Sequence, residues 1–290
     1  MTGAEPLRRR IEEKAGVKVG DLRFFAAGNN TSLFLVDLKE GQRLVAKLAN
    51  GDSKQSPKLD LEAWMLDYLA ANSRLPVPEV IWAESDLLVM NYLATSGVID
   101  REAEIVAAEL LAKLHNIKAG RYGLERDTLI GPLHQPNNFS DNWLEFFRDK
   151  RLLYMAKAAF EEQRIDGKLL AHIEKLAGKL DRYIDNPAQP SLLHGDIWSG
   201  NVMATPGKIT GFIDPAIYYG DPEIELAFAT MFGTFGKNFF SAYNEISPIR
   251  DGFFEIRKDI YNLYPLLVHA RLFGRAYAES VQKTVHRLAA

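Results

Sequence analysis

The stretch H-G-D-I-W-S-G-N at His194–Asn201, followed by F-I-D at Phe212–Asp214, decides the fold of this chain. Asp196 and Asn201 are five residues apart, and Asp214 follows Asp196 by eighteen residues. Short apolar segments with β propensity lie on both sides of the polar loop. This pattern predicts a β-hairpin that presents three oxygen-bearing side chains.

The spacing of these three residues has a chemical meaning. An Asp, a gap of four residues and an Asn is the spacing of a kinase catalytic loop. Phosphoryl transfer requires a carboxylate beside the incoming hydroxyl, and oxygen ligands for the Mg²⁺ that bridges the phosphates. Asp196 suits the first task, and Asn201 and Asp214 suit the second. Each residue alone would also fit a polar surface turn, but the complete set favours catalysis.

A second signal lies upstream. Lys47 is part of L-V-A-K-L at Leu44–Leu48, which has the form of the V-A-I-K strand of kinases. Glu62 follows fifteen residues later in Asp60–Ala70, whose apolar positions repeat with helical spacing. A strand lysine held by a helix glutamate can bind the α- and β-phosphates of a nucleotide. The alternative is a solvated lysine and a glutamate favoured by a helix N-terminus.

The candidate phosphate-covering loop is weaker as a motif. Ala26–Ser32 contains one glycine instead of the G-x-G-x-x-G triplet. Backbone N–H groups and small side chains there suit phosphate contacts, although a plain hairpin turn fits the sequence almost equally well. The candidate residues are Gly28, Asn29, Asn30 and Thr31. A G-x-x-x-x-G-K-[ST] motif is absent from the sequence, which disfavours a P-loop NTPase.

Composition excludes several other classes. The 290 residues are 47% hydrophobic and 25% charged, as in ordinary globular proteins, and a net charge of −3 gives no electrostatic argument for a nucleic-acid partner. The sequence contains no cysteine, which excludes disulfides and thiolate chemistry, and it has no H-E-x-x-H or G-x-S-x-G motif. No apolar run reaches the roughly 18 residues of a membrane span, and no secretory signal is recognisable. We therefore expect a cytoplasmic protein without a membrane partner.

The order of predicted elements indicates an α+β fold. Five strands and one helix are predicted first, at Leu22–Ala26, Ser32–Leu38, Arg43–Leu48, Asp60–Ala70 (the helix), Val80–Ala83 and Leu87–Tyr92. Six helices are predicted later, at Glu102–His115, Trp143–Ala159, Lys168–Ile184, Pro222–Phe232, Phe253–Tyr264 and Leu266–Leu288. We expect a small antiparallel sheet in an N-terminal nucleotide-binding lobe, residues 1–93, and a helical catalytic and substrate lobe, residues 94–290.

On these residues the chain resembles the fructosamine-3-kinases, also called ketosamine-3-kinases. The resemblance extends over nearly the whole chain, and its motifs are His194–Asn201, Ile213–Ala216, Tyr219–Ala227, Asn137–Phe147 and Tyr264–Gly274. H-G-D-x-x-x-x-N alone marks the wider group of aminoglycoside and choline kinase-like proteins. The Trp-Ser-Gly sequence inside the motif is much more specific.

The resemblance implies a protein-kinase-like two-lobe fold, the cofactors ATP and Mg²⁺, and phosphorylation of O3 of a ketosamine such as a ribulosamine or fructosamine. It implies Asp196 as the base and Asn201 and Asp214 as the metal ligands. Products of this kind release the free amine, which links the family to protein deglycation. The expected partner is a small-molecule ketosamine or a glycated protein amine, and the sequence leaves monomer or dimer open.

The resemblance also implies binding residues. For the nucleotide it implies the phosphate pair Lys47 and Glu62, together with a hinge that faces the adenine, formed by Met90, Asn91, Tyr92 and Leu93. Those implied for the acceptor are Trp198, Ser199 and His269. For the Trp and the His, a structural position in the core is the alternative interpretation.

Two other functions remain open on the sequence. One is a kinase of another small alcohol, such as an aminoglycoside or choline. The other is an ATP-binding pseudokinase with a scaffolding role, against which the intact Lys47, Asp196, Asn201 and Asp214 argue.

Overall fold

The structure is a computed structural model that describes residues 4–28, 30–51, 58–185, 187 and 189–289. The helices in these residues are α1 (Ala4–Ala15), α2 (Leu59–Asn72), α3 (Arg101–His115), α4 (Trp143–Phe146), α5 (Leu153–Glu161), α6 (Gly167–Ala177), α7 (Pro222–Ala229), α8 (Lys237–Ile246), α9 (Lys258–Phe273) and α10 (Arg275–Ala289). The strands are β1 (Val19–Gly28), β2 (Thr31–Leu38), β3 (Arg43–Ala49), β4 (Val80–Glu84), β5 (Leu87–Asn91), β6 (Thr128–Ile130), β7 (Leu133–Gln135), β8 (Ser191–Leu193), β9 (Val202–Thr205), β10 (Lys208–Phe212) and β11 (Tyr218–Gly220). The predicted α+β class is confirmed.

The chain forms two compact units, and neither is a continuous stretch of sequence. The first contains the described residues of Met1–Ala103, Gly131–Leu133 and Asn201–Pro215. The second contains those of Glu104–Ile130, His134–Gly200 and Ala216–Ala290. The functional boundary predicted after residue 93 stays a prediction.

The first unit is built on a five-stranded antiparallel sheet with the strand order β1-β2-β3-β5-β4. Side chains alternate along each strand, so the two faces of the sheet carry different residues. On one face Leu44 and Ala46 of β3 are buried with Leu7 and Ile11 of α1. On the other face β5 packs against α2. Lys47 is on that second face, toward α2.

A hairpin from much later in the sequence completes the first unit. β9 and β10 pair antiparallel. The carbonyl of Ala204 accepts the Ser96 N–H at 2.7 Å, and the Thr210 hydroxyl donates to the carbonyl of Ala94 at 2.6 Å. The Phe212 N–H donates to the carbonyl of Pro76 at 2.8 Å. The hairpin is therefore fixed to the segment that follows α2 and β5.

The second unit is mainly helical and is organised around α9, which packs against α5, α7 and α10. Trp143 lies at its centre, stacked on Phe146 and Phe147, and its indole N–H donates to the Tyr261 hydroxyl at 2.9 Å. In the part of the chain that the structure describes, no helix has the length and apolar character to cross a membrane.

Several helix predictions were only partly right. The predicted helix Trp143–Ala159 is interrupted by a π-helical turn, Phe147–Leu152. A second π-helical turn, Phe253–Arg257, precedes α9, and α9 continues through Pro265 to Gly274. Burial of α9 on all sides over residues 260–265 outweighs the roughly 3 kcal/mol that an internal proline costs a helix. The break comes at Gly274, where φ is 89°.

Two helices were not predicted at all. In α1 the buried apolar residues are Leu7 and Ile11, which are too few to give a periodic signal. In α8 the residues Phe239 and Tyr243 are buried, but no helix was predicted for residues 237–246. α6 ends at Ala177, before Gly178, and not at Ile184 as predicted.

Candidate functional site

Lys47 is the centre of a cluster of three charges in the first unit. Its Nζ lies 2.9 and 2.8 Å from the two carboxylate oxygens of Glu62 and 2.7 Å from Oδ1 of Asp214. β3 supplies the lysine, α2 the glutamate, and the segment after β10 the aspartate. The side chains of Lys47 and Glu62 are each 11% exposed and that of Asp214 is 43% exposed, so the aspartate is the accessible member.

Burial and charge act against each other in this cluster. Burial lowers the pKa of Lys47, but the charges of Asp214 and Glu62 outweigh it and hold that pKa above its usual value. Burial raises the pKa of Glu62 to about 7 in spite of the attraction of the lysine.

The β9–β10 hairpin holds Asn201 next to the segment that carries Asp214. Val202 pairs with Phe212, and one step further the Ile213 N–H donates to the carbonyl of Asn201 at 3.0 Å. Asn201 is buried, and Asp214 has a left-handed backbone with φ of 53°. Of the three side chains that the sequence predicted on one hairpin, those of Asn201 and Asp214 flank the β9–β10 hairpin, whereas Asp196 lies outside it in the second unit.

The donor chemistry of this pair suits Mg²⁺. Asn201 and Asp214 offer an amide oxygen and a carboxylate, both of which are hard ligands. Among the described residues no group of three or more His, Asp or Glu side chains is arranged to hold a metal ion. Mg²⁺ is usually bound through one or two protein oxygens together with substrate phosphates, so a pair of this kind fits such an ion.

The loop that carries Asp196 lies in the second unit and depends on a glycine. Gly195 has φ of 87°, and a Cβ atom there would lie 2.0 Å from the carbonyl oxygen of Ala216. The Ala216 N–H donates to the carbonyl of His194 at 2.7 Å, which closes the turn. The Asp196 N–H lies 3.3 Å from Nδ1 of His194. The backbone that leads into the aspartate is thus fixed.

A buried carboxylate that sequence analysis missed holds the same loop. Glu225 of α7 accepts the Gly195 N–H at 2.5 Å and lies 2.8 Å from Nε2 of His115 on α3. Nδ1 of His115 is 2.7 Å from the Tyr243 hydroxyl on α8. Burial raises the pKa of Glu225, but the hydrogen bonds from His115 and Gly195 outweigh it and hold that pKa below its usual range. The signal in the sequence was a glutamate, one of two in α7, within an otherwise apolar stretch.

The predicted acceptor residues lie in the second unit. The Ser199 N–H donates to Oγ1 of Thr234 at 2.9 Å. Trp198 is half-buried, with its ring edge against Phe232 at 5.8 Å. His269, also half-buried, donates from Nδ1 to the carbonyl of Pro265 at 2.7 Å.

The predicted nucleotide residues lie in the first unit. Gly28 ends β1 and Thr31 begins β2, while Asn30 between them has φ of 56°. Asn29 lies outside the described residues. Met90 is buried and Asn91 ends β5. The Tyr92 N–H donates to the carbonyl of Arg43 at 3.1 Å, and Leu93 lies beside Gly211 of β10.

The structure therefore brings the predicted phosphate pair and the predicted metal ligands together in the first unit. Lys47, Glu62 and Asp214 are in direct contact there, and Asn201 is at the open end of the same hairpin. Asp196 and the acceptor residues belong to the second unit.

Comparison with known proteins identifies the family. The sequence matches the family model described as fructosamine kinase over residues 9–290. The chain belongs to the fructosamine kinase family. A probable ketoamine kinase of Vibrio parahaemolyticus is 34% identical over 286 residues, which cover 96% of this chain and 93% of that protein. The resemblance inferred from the motifs is confirmed.

Solved structures agree with this assignment. A protein of Thermobifida fusca assigned to the fructosamine-3-kinases has a TM-score of 0.89 and 30% identity, with coverage of 99% of this chain and 100% of that one. An aminoglycoside phosphotransferase solved with AMP-PNP and hygromycin B has a TM-score of 0.67 at 19% identity, with 97% of both chains covered, and shows the shared fold. This fructosamine kinase family member is an ATP-dependent phosphotransferase with a protein-kinase-like fold, as the sequence predicted.

Proposed function

We propose that this protein transfers the γ-phosphoryl group of ATP to the O3 hydroxyl of a ketosamine. The observation that carries the proposal is the contact of the buried Lys47 ammonium with both Glu62 and Asp214. This is the arrangement that phosphoryl-transfer enzymes of the kinase type use to hold a nucleotide. Membership of the fructosamine kinase family supports the ketosamine as acceptor.

In this proposal the residues of the first unit bind the nucleotide. Lys47 binds the α- and β-phosphates, and Glu62 keeps its ammonium group in place. Asn201 and Asp214 would hold Mg²⁺, which supplies positive charge against the charge that develops on the phosphoryl group. The loop residues Gly28, Asn30 and Thr31 cover the phosphates. The hinge residues Met90, Asn91, Tyr92 and Leu93 face the adenine.

Asp196 acts on the acceptor. Its carboxylate accepts the proton of the O3 hydroxyl as that oxygen bonds to the γ-phosphorus and the bond to the leaving ADP oxygen breaks. The tight turn at Gly195 and the hydrogen bonds of Glu225 hold its backbone, which supports a precisely positioned base. Trp198, Ser199 and His269 contact the sugar.

The finer identity of the substrate is part of the same proposal. We infer a ribulosamine or fructosamine, either free or on a protein amine. Release of the amine from the phosphorylated product would make the reaction a deglycation step in the cytoplasm.

The test is ATP consumption with a panel of ribulosamines and fructosamines, together with an aminoglycoside and choline, and with ³¹P NMR to locate the new phosphate. We expect turnover of a ketosamine with phosphate on O3. Asp196→Asn should abolish transfer, whereas the exposed Asp185→Asn serves as a matched control and should keep it. Turnover confined to the aminoglycoside or choline, or binding of ATP without transfer, would contradict the proposal.

A further inference from the structure

Phe232, His269, Phe273 and Tyr277 form an aromatic wall in the second unit. The ring of Phe232 lies 5.1 Å from that of His269 and 6.4 Å from that of Tyr277. The ring of His269 lies 5.5 Å from Phe273 and 5.0 Å from Tyr277. The wall joins the loop of the proposed base, since the ring of Trp198 lies 5.8 Å from that of Phe232.

The wall presents aromatic surface to the solvent. Phe232 is 44% exposed and Phe273 is 59% exposed. Large exposed aromatic side chains that contact one another form an apolar patch, and such patches commonly mark binding surfaces. The position of this patch beside Trp198 connects it with the acceptor.

The backbone of Phe232 is held in a conformation that a bulky residue rarely adopts. Its φ is 58° and its ψ is 15°, in the left-handed region. The next turn fixes it: the Thr234 hydroxyl donates to the carbonyl of Met231 at 2.9 Å and accepts the Ser199 N–H at 2.9 Å. One buried hydroxyl thus connects the Phe232 turn to the Asp196 loop. Strained residues kept in this way are concentrated at ligand-binding positions.

The wall suits a cation. His269 donates from Nδ1 to the carbonyl of Pro265, and burial lowers its pKa, so its ring is neutral at pH 7. The neighbouring Arg271 and Arg275 are paired with Glu162 and Glu279. Aromatic faces attract cations, and the secondary amine of a ketosamine is an ammonium ion at neutral pH.

The distance between the proposed base and Trp198 also agrees with this role. Trp198 is two residues after Asp196, so their Cα atoms are at most about 7 Å apart. A ketosamine whose hydroxyl lies at Asp196 can therefore extend along Trp198 toward Phe232.

We propose that the aromatic wall, and Phe232 above all, binds the ammonium group of the ketosamine and the apolar substituent that this amine carries. The inference rests on the proposed function. It makes Phe232 and Phe273 specificity-determining residues for the amine side of the substrate.

The experiment compares two ketosamines of the sugar that the wild type prefers, one with a butylamine substituent and one with a methylamine substituent. We expect Phe232→Ala and Phe273→Ala to raise KM for the butylamine derivative about tenfold, with kcat and the KM for ATP unchanged. The KM for the methylamine derivative should rise less than threefold. Phe232→Tyr, which keeps the aromatic face, should behave like the wild type.

Phe160→Ala removes a ring with a similar exposure of 43% outside the wall, and it should change neither KM. Phe273→Ala keeps the test informative if changes at Phe232 disturb folding, since that ring is largely exposed. No loss for the butylamine derivative in either variant would overturn the inference and leave the proposed function standing. A wild type that phosphorylates no ketosamine would overturn the proposed function, and this inference with it.

Discussion

At the scale of single residues, Gly195 and Lys47 show how local geometry and charge prepare the site. The loop before Asp196 turns through a left-handed glycine against the carbonyl of Ala216. The ammonium of Lys47 is shared between carboxylates that the sequence places 15 and 167 residues away. A single substitution at Gly195 or at Lys47 therefore tests each arrangement separately.

Gly195→Ala should damage both stability and activity. The new methyl group would lie 2.0 Å from a backbone oxygen, so the turn must open, at a cost that we expect to exceed about 2 kcal/mol. Gly233→Ala is the matched control, because Gly233 also has a positive φ of 65° but has nothing within 4 Å of a new Cβ. The control substitution should lower the free energy of unfolding by only about 1 kcal/mol. Denaturant unfolding and ketosamine turnover measure the two effects, and similar losses in both variants would contradict this account.

Lys47→Met should weaken catalysis and folding together. The change leaves a buried Glu62 beside Asp214 without a cation, which costs about 3–5 kcal/mol of unfolding free energy. We expect kcat/KM for ATP to fall on the order of a hundredfold. Lys39→Met, at an exposed position, is the control. An unchanged KM for ATP in the Lys47 variant would show that Lys47 does not bind the nucleotide.

At this scale the sequence identified the local pairs and missed the distant ones. The contact of Lys47 with Glu62 could be predicted because strand and helix follow each other within fifteen residues. The bonds from Gly195 to Glu225 and from Ser199 to Thr234 connect residues 30 and 35 positions apart. No periodic pattern encodes such pairs, since they depend on how later helices pack.

At the scale of elements, three helices anchor the Asp196 loop through buried polar groups. α7 contributes Glu225, α3 contributes His115 and α8 contributes Tyr243. Glu225 receives hydrogen bonds from the loop and from His115, so each of the three helices limits the positions that the loop can take. A buried carboxylate needs hydrogen-bond partners for its oxygens. Without them it would destabilise the folded protein more than an apolar side chain at the same position.

Glu225→Gln should lower kcat about tenfold or more and leave the KM for ATP unchanged, because the loop loses its charged acceptor while the first unit is untouched. The exposed Glu174→Gln on α6 is the control. Steady-state kinetics with varied ATP separate the two parameters. A parallel rise in the KM for ATP would argue against a role limited to the loop.

The same variant gives a pH prediction. The pKa of Glu225 in the folded protein is below its ordinary value of 4.5, so the stability it contributes is present above pH 4.5 and is lost as pH falls through the folded pKa. The wild type should therefore have the higher Tm at pH 7, and the difference from Glu225→Gln should shrink below pH 4.5. Thermal unfolding at several pH values measures it, and a constant difference would show that the ionised carboxylate is not the stabilising form.

Elements were predictable where their own apolar residues repeat, as in α2 and α3, and were less so where tertiary contacts override local preference. α9 passes through Pro265 because the residues before it, 260–264, and Pro265 itself are buried on all sides of the helix. The π-helical turns before α5 and α9 contain more residues per turn than an α-helix, and no local sequence pattern predicts them.

At the scale of the whole molecule, the first unit takes its strands from separate parts of the chain. The β9–β10 hairpin belongs to it although it is about a hundred residues distant in sequence. Four hydrogen bonds fix the hairpin to residues 76–96. The α+β class and the protein-kinase-like fold were predictable from motifs, whereas this division of the chain was not, because it depends on which surface the hairpin covers.

A fragment of residues 1–103 should be less stable than the same fragment joined by a flexible Gly/Ser linker to residues 201–215. Without the hairpin, the carbonyls of Pro76 and Ala94 lose their donors and the packing around Leu93 is exposed. We expect the joined fragment to unfold at a Tm several degrees higher. A scrambled 201–215 segment is the control, and identical melting of both fragments would show that the hairpin adds nothing.

Among the described residues, four that are not glycine have a positive φ, and three of them, Asn30, Asp214 and Phe232, belong to the proposed nucleotide and acceptor sites. Glycine at any of these three positions would relax the backbone, so a selection for heat resistance alone would tolerate replacements that remove side chains from the site. Directed evolution of this enzyme therefore needs an activity screen in every round. Without one, the most robust clones would be the ones that have lost the reaction.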